Sequence, residues 1–143
     1  MNGAHLQVRR AGRGDAAAVA ALAGDLAMSF TFSRPAFEAS FPALLADPQA
    51  CLLVAAGRDD PVGYLLGFRH LTFYANGPVG WVEEILVRGE YRRSGAGRDL
   101  MAAFEEWARG CGCGLVALAT RRAAPFYRAL GYQESAVYHR KML

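Results

Sequence analysis

Three arginines and two glycines crowd into Arg92-Arg93-Ser94-Gly95-Ala96-Gly97-Arg98. Without side chains at Gly95 and Gly97 the backbone can bend sharply and approach a ligand closely. Just beyond, Leu100, Phe104 and Trp107 recur at i, i+4 and i+7, the spacing of an amphipathic helix. The start of such a helix leaves N–H groups without partners and carries a partial positive charge. Loop and helix start together make a seat for a phosphate or pyrophosphate, with Arg92, Arg93 and Arg98 as cations around it. The segment fits neither G-x-x-x-x-G-K-[ST] nor G-x-G-x-x-G. On spacing alone, a tight turn with solvated arginines reads equally well.

Two further groups could do chemistry. Glu83 and Glu84 interrupt the apolar run Trp81 to Val87, which reads as a strand buried on one or both faces. Strict alternation sets Glu83 with Trp81 and Ile85, and Glu84 with Val82 and Leu86. A carboxylate in such a strand is paired, hydrated or made more basic by desolvation. The last state suits a general base for an ammonium nucleophile, directly or through water. The competing reading is an ion pair with one of the many arginines. Downstream, Pro125 and Gly131 bracket a short helix in which Phe126 and Leu130 form an i, i+4 pair facing the core. Tyr127 lies one step round that helix. A tyrosine hydroxyl in a cleft can protonate a leaving thiolate, since the two groups have similar pKa values. A packing tyrosine with a satisfied hydroxyl is the alternative.

Other chemistries find little support. His5, His70 and His139 lie far apart, and Cys111 and Cys113 have the wrong spacing for a zinc knuckle, so no metal site is expected. A net charge of +3 without a basic, aromatic-laced block argues against nucleic-acid binding and fits a small anionic ligand. No apolar run reaches the roughly 20 residues that span a bilayer. Three cysteines and the absence of a secretory pattern point to the cytoplasm.

These groups must be positioned by a mixed set of strands and helices. No linker or repeat divides the 143 residues, so a single domain over 1–143 is expected. Strands are expected near Leu6–Val8, Cys51–Ala55, Val62–Tyr74, Trp81–Val87 and Leu115–Ala119, with a terminal strand from Tyr132. Asp15 and Ser33 read as N-caps of two early helices. Asn76-Gly77-Pro78 reads as a hairpin turn. The order describes an α/β or α+β sheet protein with a strand–helix–strand unit at its centre.

Acidic strand, R-x-x-G-x-G loop into a helix, then F-Y-x-x-x-G-Y: this order resembles the GNAT superfamily of acyl-CoA N-acyltransferases. Arg92, Gly95 and Gly97 match that family's [RQ]-x-x-G-x-[GA] motif. The resemblance covers the whole chain and is most specific from Trp81 to Tyr132. It implies a mostly antiparallel mixed sheet of six to seven strands with about four helices, splayed at a bulge in strand 81–87. It also implies acetyl-CoA as co-substrate and no metal. Ile85, Leu86 and Val87 would then hold the pantetheine arm, and the amides from Arg93 to Arg98, including those of Ser94 and Ala96, the pyrophosphate. Glu83 resembles the glutamate that acts as base, often through water, in some diamine acetyltransferases of the family, with Glu84 the other candidate. Tyr127 resembles the tyrosine that protonates the CoA thiolate. Thr120 stands where many relatives have a coenzyme-contacting Asn, and Gly89 where many have Pro. The implied reaction is direct attack by a primary amine in a ternary complex. A small-molecule amine or peptide is the implied acceptor, and a homodimer is compatible with it. Acetylation of a protein N-terminus or lysine, or acyl-CoA sensing without turnover, are the alternatives. Phe30, Phe32, Phe73 and Tyr74 are candidates for an aromatic wall around the acceptor.

Overall fold

Apolar runs bounded by turn residues become the strands of one sheet. The structure, a computed structural model, describes residues 5–26 and 29–143. Its strands are β1 (Gln7–Arg10), β2 (Ala50–Ala56), β3 (Gly63–Thr72), β4 (Gly77–Val87) and β5 (Val116–Leu118). They lie side by side in chain order. All neighbours are antiparallel except β4 and β5. Those two are joined through α3 (Ala96–Gly110), and a crossover helix returns the chain in the same direction.

Five strands among the described residues correct the expected six to seven. The expected strand from Tyr132 onward does not form; residues 132–143 carry no strand assignment. That segment is rich in polar residues, and its Val137 and Tyr138 are left exposed, so little apolar burial drives pairing. The hairpin turn also moves. It occupies residues 73–76, and Gly77 and Pro78 already belong to β4. Asn76, at φ 59°, takes the left-handed conformation that turns the chain there.

Helices cover both faces. On one side α1 (Ala16–Leu26) and α2 (Arg34–Ala46) pack through Val19, Leu22 and Phe41 onto Leu52, Val54, Tyr64 and Leu66. On the other, α3 packs through Leu100, Met101 and Phe104 onto Cys51, Leu53 and Leu65. β2 is buried along its whole length because its alternate residues feed both cores. Phe104 lies so close to the sheet that only glycine fits at position 67; a Cβ there would stand 2.6 Å from its Cζ.

Ser33 caps α2 as expected, its Oγ accepting from the Ala36 amide at 3.2 Å. Asp15 does not cap α1. Its carboxylate turns back to accept from the Gly12 amide and, through both oxygens, from Arg9 at 2.8 and 2.9 Å. This bidentate pairing ties the end of β1 to the start of α1. A short helix, α4 (Ala124–Ala129), follows β5.

Candidate active site

The site begins with one extra residue in β4. Leu66 pairs with Glu84 and Gly67 with Val82, so Glu83 has no partner on β3 and forms a β-bulge. The bulge breaks the alternation read from the sequence. Val82 packs with Ile85 and Val87 in the α3 core, while Leu86 packs in the α1–α2 core. Glu84 follows Leu86, because it accepts a hydrogen bond from Tyr64 of that second core. Glu84 and Val82 therefore lie on opposite faces, contrary to the alternation expected above.

At the same place β4 loses its other neighbour. Pairing with β5 runs only from Gly80–Val116 to Val82–Leu118. From Glu84 to Val87 the strand is bonded on its β3 side alone, and its other edge is left unpaired, a gap in the sheet. The Arg88 amide donates to Val62 on the β3 side, whereas the Val87 carbonyl meets the Arg92 Nε at 3.4 Å. Backbone groups two residues apart point the same way along a strand. Ile85 and Val87 thus present theirs to the gap, and Leu86 bonds towards β3. Of the three residues expected to hold the pantetheine arm, Ile85 and Val87 turn their backbone away from β3 and Leu86 turns its backbone towards it.

Below the gap stands the arginine–glycine loop. Gly95, at φ 88°, adopts a left-handed conformation immediately before α3, which explains the glycine. Ser94 Oγ accepts from the Ala96 amide at 3.3 Å. The amides of Arg93, Gly95, Gly97 and Arg98 bond to no described group. Arg92, Arg93 and Arg98 make no ion pair with a described residue, nor do Arg121 and Arg122 beyond β5. Free amides at the start of a 15-residue helix, with Arg92, Arg93 and Arg98 in the same segment, favour an anion. Gly97 serves a different purpose from Gly95. A Cβ there would meet the Phe126 ring at 3.3 Å and Val87 Cγ2 at 3.9 Å, so its smallness lets α3, α4 and β4 converge.

On α4 the inside and outside are reversed from the sequence expectation. Tyr127 is buried, at 7% exposure, and Phe126 is the exposed partner at 37%. The Tyr127 ring sits edge-on to Phe126 and Tyr132 and packs in the α3 core with Val87 and Ala96. Its hydroxyl makes no hydrogen bond with a described residue. Burial pushes the phenol above its ordinary pKa, which keeps it a proton donor at neutral pH. Thr120 is exposed, and its Oγ1 accepts from the Ala123 amide at 3.1 Å, which shapes the approach to α4.

The two carboxylates have different settings. Glu83 is exposed and accepts from Trp81 Nε1 at 3.2 Å on its own strand. Glu84 is half-buried and accepts from the Tyr64 hydroxyl at 2.7 Å. Trp81 in turn stacks on Tyr138, centroids 6.4 Å apart, and Arg140 donates to Ser29. Residues 133–143 therefore run beside the bulge and the α1–α2 connection. Phe30, Phe73 and Tyr74 are exposed, while Phe32 packs on Phe37 at 5.9 Å and belongs to the helix layer. Among the described residues no cluster of three or more His, Cys, Asp or Glu could hold a metal ion.

The model of the acetyltransferase (GNAT) family matches residues 20–132. The chain belongs to that family. It is an acetyl-CoA-dependent N-acetyltransferase. An aminoglycoside N(6')-acetyltransferase of Stenotrophomonas maltophilia is 34% identical over 112 residues, covering 69% of this chain and 71% of that protein. An amino-acid acetyltransferase of Pseudomonas aeruginosa is 33% identical over 75 residues, 52% of this chain but only 17% of that longer protein. The fold is shared with an aminoglycoside N-acetyltransferase solved in complex with CoA, at TM-score 0.84 and 22% identity over 99% and 98% of the two chains.

The sequence reading of this GNAT acetyltransferase assigned no role to Tyr64 or to the Trp81 indole. Trp81 stands two residues from Glu83 and was visible as a neighbour. Tyr64 meets Glu84 only through the β3–β4 register, which a single sequence does not reveal.

Proposed function

We propose that acetyl-CoA threads the gap between β4 and β5 and that a small primary amine meets its thioester at the bulge. The observation that carries this reading is the coincidence of two features: an unpaired backbone edge at Ile85 and Val87, and free amides at the α3 start directly below it. The first can bond the amide groups of the pantetheine arm, and the second can hold the pyrophosphate. Arg92, Arg93 and Arg98 add charge there.

The amine is cationic in water and must lose a proton before it can attack. A carboxylate of the bulge, Glu83 or Glu84, takes that proton directly or through water. The free amine attacks the thioester carbonyl, the new N–C bond forms, and the C–S bond breaks. The nitrogen loses its second proton, while the thiolate takes one from Tyr127, which regains it from solvent. One proton is released overall. Tyr127 packs on the α3 side of the sheet and Glu84 lies on the α1–α2 side, so acid and base approach the thioester from opposite faces.

The acceptor is a polar small molecule, and aminoglycosides and amino acids head the panel because the relatives are named for them. Two carboxylates near the bulge suit a cationic acceptor. Thiol release from acetyl-CoA across that panel is the test. CoA binding with no turnover on any amine would overturn this reading in favour of a binding module. Turnover confined to peptides would move the acceptor to a protein terminus or lysine.

A further inference from the structure

The bulge carries two carboxylates, and their surroundings separate them. Glu83 is exposed to water, and its one partner among the described residues is a half-exposed indole on the same strand. Glu84 is held by a phenol that is 1% exposed and comes from the neighbouring strand. Tyr64 pairs with Leu86, so Glu84 is its diagonal neighbour, within reach of an aromatic side chain. A phenylalanine would fill the same core space beside Leu22, Leu52 and Leu66. The hydroxyl is an additional polar group whose burial costs energy unless bonded, and Glu84 Oε1 is the one acceptor it has among the described residues. The second oxygen, Oε2, makes no hydrogen bond with a described residue.

We infer that Tyr64 is a positioning residue that fixes Glu84, rather than Glu83, as the group receiving the acceptor's proton. The inference rests on the proposed reading of the bulge as the place where amine and thioester meet. A buried donor on a neighbouring strand holds the carboxylate in one fixed orientation. Burial and the charge of Glu84 push the Tyr64 phenol far above its ordinary pKa, so it stays a donor throughout the working range. β4 contributes Glu83, the flanking helices carry Asp25, Arg34 and Glu38, and the C-terminal segment beside the bulge carries Glu134, His139, Arg140 and Lys141, all exposed; none is ion-paired with Glu84.

The test is the pH profile of kcat/KM for an accepted amine, with CoA affinity measured alongside by calorimetry. Tyr64→Phe should lower kcat/KM by roughly tenfold or more at neutral pH, with the loss in kcat rather than KM. CoA affinity should stay within about twofold. Glu84→Gln should abolish the acidic limb, and adding Tyr64→Phe to it should cost little more, as expected of coupled residues. An unchanged kcat in Tyr64→Phe with only a lower melting temperature would make the pair structural and overturn the inference. Loss of the limb in Glu83→Gln but not in Glu84→Gln would do the same. If Tyr64→Phe does not fold, the two glutamine variants still decide. A wild-type protein that binds CoA and acetylates no amine sinks the proposed function itself, a result distinguishable before any variant is made.

Discussion

The two edges of β4 beyond Glu83 are built on opposite principles. Towards β3 each residue from Glu84 to Val87 has a registered partner, and the side chains there make specific bonds such as Tyr64 to Glu84. Towards β5 no pairing continues past Val82, and what faces the gap is backbone. The open edge, with the amides of the α3 start, offers groups that every sequence possesses, made available by geometry. The closed edge offers individual side chains. On the proposed reading, donor recognition persists through much sequence change provided glycines and strand lengths are kept, whereas the acceptor side depends on which residues stand at particular points.

The sharpest way to break that contrast is to fill the donor side. Gly97→Trp places a large ring where even a Cβ meets Phe126 at 3.3 Å, forcing α4 away from β4 and closing the gap. CoA affinity should fall by about 100-fold or more while far-UV circular dichroism stays close to wild type. Unchanged calorimetric affinity in the folded variant would mean that the coenzyme does not use this gap.

Next comes a change that should spare binding and strike chemistry. Tyr127→Phe keeps the buried ring and removes the proton donor. A fall in kcat of about 100-fold is expected, with CoA affinity nearly constant, because general acid catalysis is worth that order of magnitude. The loss should be smaller for an acyl donor whose leaving thiol is more acidic. Equal losses for both donors would reduce Tyr127 to a packing residue.

The contrast also explains what could be read in the sequence. The loop was legible because glycine, arginine and helix periodicity are local signals, and Gly95 proved to need its φ of 88°. β2, β3, α2 and α3 were legible because their apolar patterns are strong. The face assignment of Glu84 was not, since one bulged residue inverts every face beyond it. Nor was the inward turn of Tyr127: two aromatics side by side leave open which one a six-residue helix buries. The expected last strand failed because the segment is largely polar and its Val137 and Tyr138 stay exposed, so pairing would gain little burial. Strand propensity alone does not create a partner.

A third change tests the scaffold that both edges share. At Gly67 a Cβ would run into the fully buried Phe104 ring, so Gly67→Ala must push α3 from the sheet or tilt that ring. A loss of about 1–3 kcal/mol of stability is expected from chemical denaturation. Because Gly67 lies on the paired edge beside the bulge, kcat should drop more than CoA affinity. The reverse order would show that α3, rather than β4, sets the donor side.

The smallest effect should come from the far edge of the sheet, where Arg9 and Asp15 join β1 to α1. Arg9 hydrogen-bonds and charge-pairs with Asp15, and with the Gly12 amide it holds the carboxyl below the ordinary value of 3.8 despite its burial. A carboxyl whose folded pKa is depressed adds stability above its unfolded pKa and loses it as pH falls through the folded value. Arg9 is half exposed, so screening by solvent limits the contribution. Asp15→Asn should lower stability by about 1 kcal/mol at pH 7, and the two proteins should converge as pH drops below about 4. Melting temperatures from pH 7 to pH 2.5 check this. A constant difference would remove the charge from the account and leave only the hydrogen bonds. Because this anchor lies at the other end of the sheet from β4, neither CoA affinity nor the acidic limb of the rate profile should move with it. A shift in either would show that the two edges of β4 are not independent of the α1 end of the fold.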